Sequence, residues 1–258
     1  VFDCHRLFSG VGTENEMEGV LMKDVQSGAQ SKQVSVALRL FVRFLIYAAI
    51  LTLIWRFSSG SWGHWLGWVY IAMEVALGVL AAAWVPLTPE MEEERTSIKA
   101  GVKQWDKLIV MPINLWFPFG MLVLAGLDHR FSWSEPVSIP IILIAALLAI
   151  GGRVYSTWAA ASNPFYGRFV RIQTDRGHSV IEKGPYAQIR HPGYSGLLLF
   201  LLCAGVVLGS WWTVLGNLIV SGLLVLRTAL EDKTLQAELV GYVEYAERVR
   251  YRLIPGIW

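Results

Sequence analysis

Arg227 and Glu231 stand four residues apart at the end of an apolar run, so a helix there puts both on one face. Asp232 and Lys233 follow directly, which sets two carboxylates beside two cations. Read as plain structure, this is an exposed ion pair worth about 0.3–0.5 kcal/mol. Read as chemistry, Glu231 takes a ribose hydroxyl or an amino group, and Arg227 holds an anionic substrate head. A second stretch, residues 171–196, is polar and runs straight into another apolar segment. Pro192 and Gly193 fall where a loop turns into a helix, and the free N–H groups of a helix start can receive an anion. Arg190 and His191 add donors beside that point. Tyr186 and Tyr194 offer ring faces, which attract a ligand cation such as a sulfonium or stack on an adenine. Gly184-Pro185 makes the turn that brings the two tyrosines together. The plainer reading is a helix cap with arginines that mark a membrane surface.

Both stretches must be positioned by membrane helices. The chain has 258 residues, of which 54% are hydrophobic and 16% charged, against about 25% charged in soluble domains. It carries 12 Trp and 24 Gly, residues favoured respectively at membrane interfaces and within spanning helices. A span needs roughly 20 apolar residues. Six segments qualify, at about 36–57, 64–85, 108–127, 137–161, 194–209 and 211–230. Arg39 and Arg43 are expected to snorkel, Pro86 and Pro89 to end the second span, and Pro112 and Pro118 to kink the third. Glu74, inside the second, is expected to face inward or toward water. The last two spans, parted by little more than Ser210, form a tight hairpin. Residues 233–250 read as an amphipathic surface helix, with Leu235, Leu239, Tyr242, Tyr245 and Val249 on one side. Residues 1–35 read as a leader, 36–160 as the N-terminal spans and 161–258 as the region of the site. Lys and Arg gather in 86–107, 162–193 and the C-terminal tail, whereas 58–63 and 128–136 hold only Arg130. Six spans put the basic segments and both termini on the cytoplasmic side. The expected fold is an all-α polytopic helix bundle.

Some classes are disfavoured. A net charge of +2 is too small to suggest nucleic-acid binding. Cys4 and Cys203 are far apart and imply neither a disulfide framework nor a metal site. His64 and His129 suit an interfacial or solvated role better than that of ligands, and nothing demands a metal.

Gly184-Pro185-Tyr186, Arg190-His191-Pro192-Gly193-Tyr194-Ser195-Gly196, Glu231-Asp232-Lys233-Thr234-Leu235 and Gly241-Tyr242 through Pro255 occur in one order. This compound pattern resembles the isoprenylcysteine carboxyl methyltransferase and phospholipid methyltransferase superfamily over about residues 150–258. The resemblance implies an S-adenosyl-L-methionine cofactor at the cytoplasmic face. It implies that Gln173, His178, Ser179, Val180, Ile181, Tyr186, Arg190, His191, Pro192, Gly193, Tyr194 and Glu231 bind the cofactor. It also implies that Arg227 contacts the substrate. The interval from Gln173 to His178 is shorter than usual, and Asp232 stands where a second Glu is usual.

The acceptor expected from a site built into a membrane hairpin is lipid-like or prenylated, entering from the membrane lipids. A carboxylate acceptor is ionised at pH 7 and needs only orientation, for which Arg227 serves. An amine acceptor must lose a proton, which gives His191 or Glu231 the role of base. Carboxyl O-methylation is the first expectation and phospholipid amine N-methylation the second. An NADPH-dependent sterol-type membrane reductase and a non-catalytic membrane subunit are the rivals from other classes.

Overall fold

A computed structural model describes residues 40–85 and 88–258. The leader expected at 1–35, the start of the first span, Arg39 and Pro86 lie outside the described residues. The chain divides into two compact units, Val1–Tyr47 and Ala48–Trp258. Described residues 40–47 of the first unit are helical. The candidate site lies wholly in the second.

Among the described residues, helices supply all the regular structure. The elements are α1 (Leu40–Ser59), α2 (Trp65–Trp84), α3 (Pro89–Thr96), α4 (Gln104–Leu115), α5 (Met121–Phe131), α6 (Ile139–Ser162), α7 (Pro192–Val207), α8 (Trp211–Glu238) and α9 (Tyr242–Arg248). A π-helical turn, Trp116–Gly120, joins α4 to α5, and Phe117 leaves helical dihedrals there. Pro118 explains the break, because it offers no N–H and crowds the preceding turn. Pro112 is carried inside α4.

Five helices are long and apolar enough to cross a membrane: α1, α2, the kinked Gln104–Phe131, α6 and α8. The chain is an integral membrane protein. Leu143, Ile144 and Leu147 on α6 remain 59–71% exposed, as lipid-facing side chains would. Glu74 is buried, as expected. The remaining expected span is α7, an apolar helix of 16 residues. At about 1.5 Å per residue it reaches roughly 24 Å, short of a ~30 Å hydrocarbon core.

Two expectations need correction. Pro89 opens α3 rather than only closing α2, with the Thr88 side chain accepting from the Met91 N–H at 3.3 Å. The surface helix expected at 233–250 is two pieces, because α8 continues to Glu238 and Gly241, at φ +83°, turns the chain into α9. Only glycine takes that dihedral without strain. The apolar side nevertheless forms as expected, with Leu239, Tyr242 and Tyr245 buried against Leu235 and Val249.

α7 is fixed at both ends. Gly152 and Gly196 let α6 and α7 meet backbone to backbone. A Cβ on Gly196 would lie 2.3 Å from the Gly152 carbonyl oxygen. Small residues allow this closeness between membrane helices. At the far end, the α7–α8 turn is clasped by buried Asp128, which accepts from the Ser134 N–H at 2.8 Å, the Ser134 hydroxyl at 2.6 Å and the Ser210 hydroxyl at 2.5 Å. His129 Nε2 donates to the Leu208 carbonyl at 2.7 Å, and its ring lies 5.1 Å from that of His64.

Candidate active site

The long connection from α6 to α7 has little regular structure, so other elements must hold it. Arg171 grips Glu94 of α3 through two bonds of 2.6 Å and reaches Asp175 at 2.8 Å. The Arg171 guanidinium holds the Glu94 carboxyl below the usual range against the opposing cost of burial. The Val170 N–H donates to Asp106 Oδ2 at 2.8 Å, and the Lys103 N–H to the Val170 carbonyl at 3.0 Å. The C-terminal tail closes from the other side. The Arg190 and His191 N–H groups donate to the Tyr251 and Arg252 carbonyls, both at 2.9 Å.

Between these layers lies an open cleft of about 810 Å³, mouth included. Its walls bring together Gln173, His178, Ser179, Val180, Ile181, Tyr186, Arg190, His191, Gly193, Tyr194, Arg227 and Glu231. Of the residues singled out in the sequence, Pro192 is not on the wall. Its ring begins α7 behind Gly193.

The individual bonds divide these residues into two sets. One is already saturated by protein. Arg190 donates from Nε and Nη2 to Asp232 at 2.7 and 3.0 Å, and from Nη1 to the Val249 and Arg250 carbonyls at 2.8 Å. Four of its five N–H donors are thus taken by protein. Asp232 is wholly buried and also takes Arg252 Nε at 2.8 Å, Gln236 Nε2 at 2.7 Å and the Tyr242 hydroxyl at 3.0 Å. His191 Nε2 lies 3.2 Å from the same carboxylate. Gln173 is similarly committed, donating to the Phe165 carbonyl at 2.8 Å and accepting from Arg176 at 2.5 Å. At the start of α7, the Tyr194 and Ser195 N–H groups both turn back to the His191 carbonyl, at 3.1 and 3.2 Å. That leaves the Gly193 N–H as the early donor not so engaged.

The other set surrounds the open space. Tyr194 donates to Glu231 Oε2 at 2.5 Å, while the Arg227 guanidinium lies 5.2 Å from the Tyr194 ring centre. The other Glu231 oxygen accepts no hydrogen bond among the described residues. Arg227 and Glu231 are not the exposed ion pair of the plainer reading. Arg227 is 6% exposed and donates from Nε to Asp106 Oδ1 at 2.7 Å, and from Nη2 to the Arg168 carbonyl at 2.8 Å. Tyr194 therefore links the two residues, one on its ring and one on its hydroxyl. Asp106 went unnoticed in the sequence. Its signal was a carboxylate in the first turn of an apolar helix. Tyr166, which packs against Gly193 so closely that a Cβ there would come within 2.9 Å of its ring, was also missed.

His178 lines the mouth, its ring 4.5 Å from that of Phe165, and its Nδ1 accepts from the Gln173 N–H at 3.3 Å. Burial, reinforced by the Arg171 and Arg176 charges, lowers its pKa to about 4, so the neutral ring carries its proton on Nε2. An unfolded His titrates near 6.5. Between these values the unfolded chain binds more protons, so stability rises with pH from about 4 to about 6.5 and then levels. Melting temperatures measured from pH 4 to 8 should show this rise, and His178→Gln should flatten it. Identical slopes in the two proteins would refute the assignment.

The family model described as isoprenylcysteine carboxyl methyltransferase (ICMT) family matches residues 143–237. This bears out the resemblance read from the motifs. The isoprenylcysteine carboxyl methyltransferase match takes in most of α6, all of α7, nearly all of α8 and every cleft residue from Asn163 to Leu235. It leaves outside Asp106, which holds Arg227, and Leu239, Tyr242 and Tyr245, which close the cleft. No curated protein matches the chain. The chain is an integral membrane protein with a region similar to a methyltransferase family.

Proposed function

We propose that the cleft binds S-adenosyl-L-methionine and that the protein methylates the carboxylate of a hydrophobic acceptor, of prenylcysteine or similar type, at the cytoplasmic membrane face. The observation that carries this is the Arg227–Tyr194–Glu231 unit on the wall of a cleft inside the methyltransferase-family match.

The wall chemistry suits the cofactor. Glu231 presents a carboxylate oxygen with no protein partner, fit for a ribose hydroxyl or an amino group. The Gly193 N–H and neutral His178 offer donors. Tyr186, Tyr194 and Tyr242 give aromatic faces of the sort that attract a sulfonium. Val180, Ile181, Leu235 and Leu239 supply an apolar wall. When bound, the cofactor supplies a methyl group already activated for displacement.

The residues of the chain then have positioning work. Arg227, held by Asp106, keeps a fixed positive charge beside Tyr194. Tyr194 holds Glu231 in place. His191 Nε2 faces Asp232, so the base that an amine acceptor requires would have to be its Nδ1, whereas a carboxylate acceptor requires no base. The basic segments 86–107 and 162–193 border the cleft, and the Lys/Arg asymmetry supports its cytoplasmic placement.

Calorimetry with S-adenosylhomocysteine tests this reading. The wild-type protein should bind it, and Glu231→Gln should bind at least tenfold more weakly with an unchanged melting temperature. Equal affinities would remove Glu231 from the site. Binding of NADPH in place of S-adenosylhomocysteine would favour a reductase, and binding of neither a non-catalytic subunit.

A further inference from the structure

Residues 253–258 carry no charged side chain, although they directly follow Arg248, Arg250 and Arg252. They fold into a closed turn. The Trp258 main-chain oxygen accepts from the Arg252, Leu253 and Ile254 N–H groups at 3.0, 2.9 and 3.2 Å. The Ile257 and Trp258 N–H groups return to the Ile254 carbonyl at 3.1 and 3.2 Å. Gly256, at φ +81°, allows the reversal. Leu253 is buried, whereas Ile254 and Ile257 project outward at 49% and 77% exposure. Two isoleucines held outward on a closed turn present apolar area that needs a partner.

The place of the turn decides what covers it. The Ser195 hydroxyl donates to the Leu253 carbonyl at 2.7 Å. Ser195 precedes Leu199 and Leu202 by four and seven residues on α7, so the three share one face of the helix. Leu199 and Leu202 are exposed, whereas other faces of α7 pack against α6 and α8. Their stripe therefore faces lipid, and the turn rests on its end. The residues around the turn suit a headgroup layer. Trp258 is half-buried with the Arg252 guanidinium 4.9 Å from its ring centre, and Arg250 and Tyr251 are exposed beside it. Trp and Tyr settle at membrane–water interfaces, and Arg buries its stem while its head stays in water.

We propose that the Leu253–Trp258 turn is seated in the bilayer, with Ile254 and Ile257 among the acyl chains and Arg250, Tyr251 and Trp258 at the headgroups. The partner of this surface is the lipid itself. The seat also supports the start of α7, because the Tyr251 and Arg252 carbonyls that precede the turn accept from the Arg190 and His191 N–H groups. Lipid contact thereby bears on the cleft wall without touching a ligand, whatever that ligand is.

The test places the full chain, with Cys4 and Cys203 replaced by Ser, in nanodiscs of equal parts phosphatidylcholine and phosphatidylglycerol. A nitroxide is attached in turn at Ile257→Cys, Leu202→Cys and Val240→Cys. Its collisions with oxygen, which concentrates in lipid, and with a water-soluble nickel chelate are read by power-saturation electron paramagnetic resonance. Leu202 is the lipid reference. Val240, 93% exposed just past the end of α8, is the water reference. The Ile257 label should favour oxygen as the Leu202 label does, with nickel collisions at least fivefold fewer than at Val240. Nickel collisions equal to those at Val240 overturn the seat. If Ile257→Cys does not fold, Ile254→Cys carries the same comparison. In the double variant Ile254→Asp, Ile257→Asp, amide exchange at Arg190 and His191 should be at least tenfold faster in the same nanodiscs. Exchange at the wild-type rate overturns the support of α7.

Discussion

Asp232→Ala is expected to lower the melting temperature of the detergent-solubilised protein by roughly 10 °C, from a loss of about 3–5 kcal/mol. The wild-type carboxylate is wholly buried and offsets two guanidiniums, Arg190 and Arg252, while also taking bonds from Tyr242 and Gln236. Alanine leaves the 6%-exposed Arg190 charge without a counter-ion. The consequence extends along the chain, because Arg190 also ties the Val249 and Arg250 carbonyls to the start of α7. Cofactor affinity should fall with the fold. Asp232→Asn, which keeps one acceptor oxygen, should lie between the two. A melting temperature within about 2 °C of wild type for Asp232→Ala would mean that the tail is held by other contacts.

Asp106→Ala carries the second large effect, and here the loss should be in turnover. Arg227 would lose the carboxylate that fixes its guanidinium, and the Val170 N–H would lose its acceptor. Methyl transfer to a hydrophobic carboxylate should drop about 100-fold or more in kcat/KM, since misplacing a positioning group by an ångström is that costly. Affinity for S-adenosylhomocysteine, which the proposed function assigns to Glu231 rather than Arg227, should change by less than about threefold. Asp106→Asn preserves the bond from Val170 and isolates the charge. If the alanine variant lost cofactor and acceptor kinetics in equal measure, Asp106 would be holding the loop rather than Arg227.

The sequence revealed helices more readily than partnerships. Apolar length located the five long spans and the shorter α7, because it depends on composition over about twenty residues. It misjudged ends where one residue decides. Gly241 divides the tail, and Pro89 begins a helix, both through local dihedral preference. The site residues on 173–194 and 227–231 were legible from motif order. Their bonding was not, because it joins positions far apart. Asp106 meets Arg227 across 121 residues, and Arg190 meets Asp232 across 42. Helical spacing suggested Glu231 as the partner of Arg227, whereas Asp106 takes the guanidinium and Tyr194 takes Glu231.

The unequal arms of the C-terminal hairpin have a consequence for the bilayer itself. Both arms leave one turn at Ser210, but α7 has 16 residues and α8 has 28, lengths of roughly 24 and 42 Å. With the Ser210 turn at one boundary of a ~30 Å hydrocarbon layer, the start of α7 would fall about 6 Å short of the other. A leaflet that thinned around this point would do so at a cost of fractions of a kcal/mol per ångström of mismatch. That cost grows in thicker, more ordered membranes. A short α7 would set the cleft below the headgroup level, so that a hydrophobic molecule travelling in the leaflet need not climb out of it to arrive there.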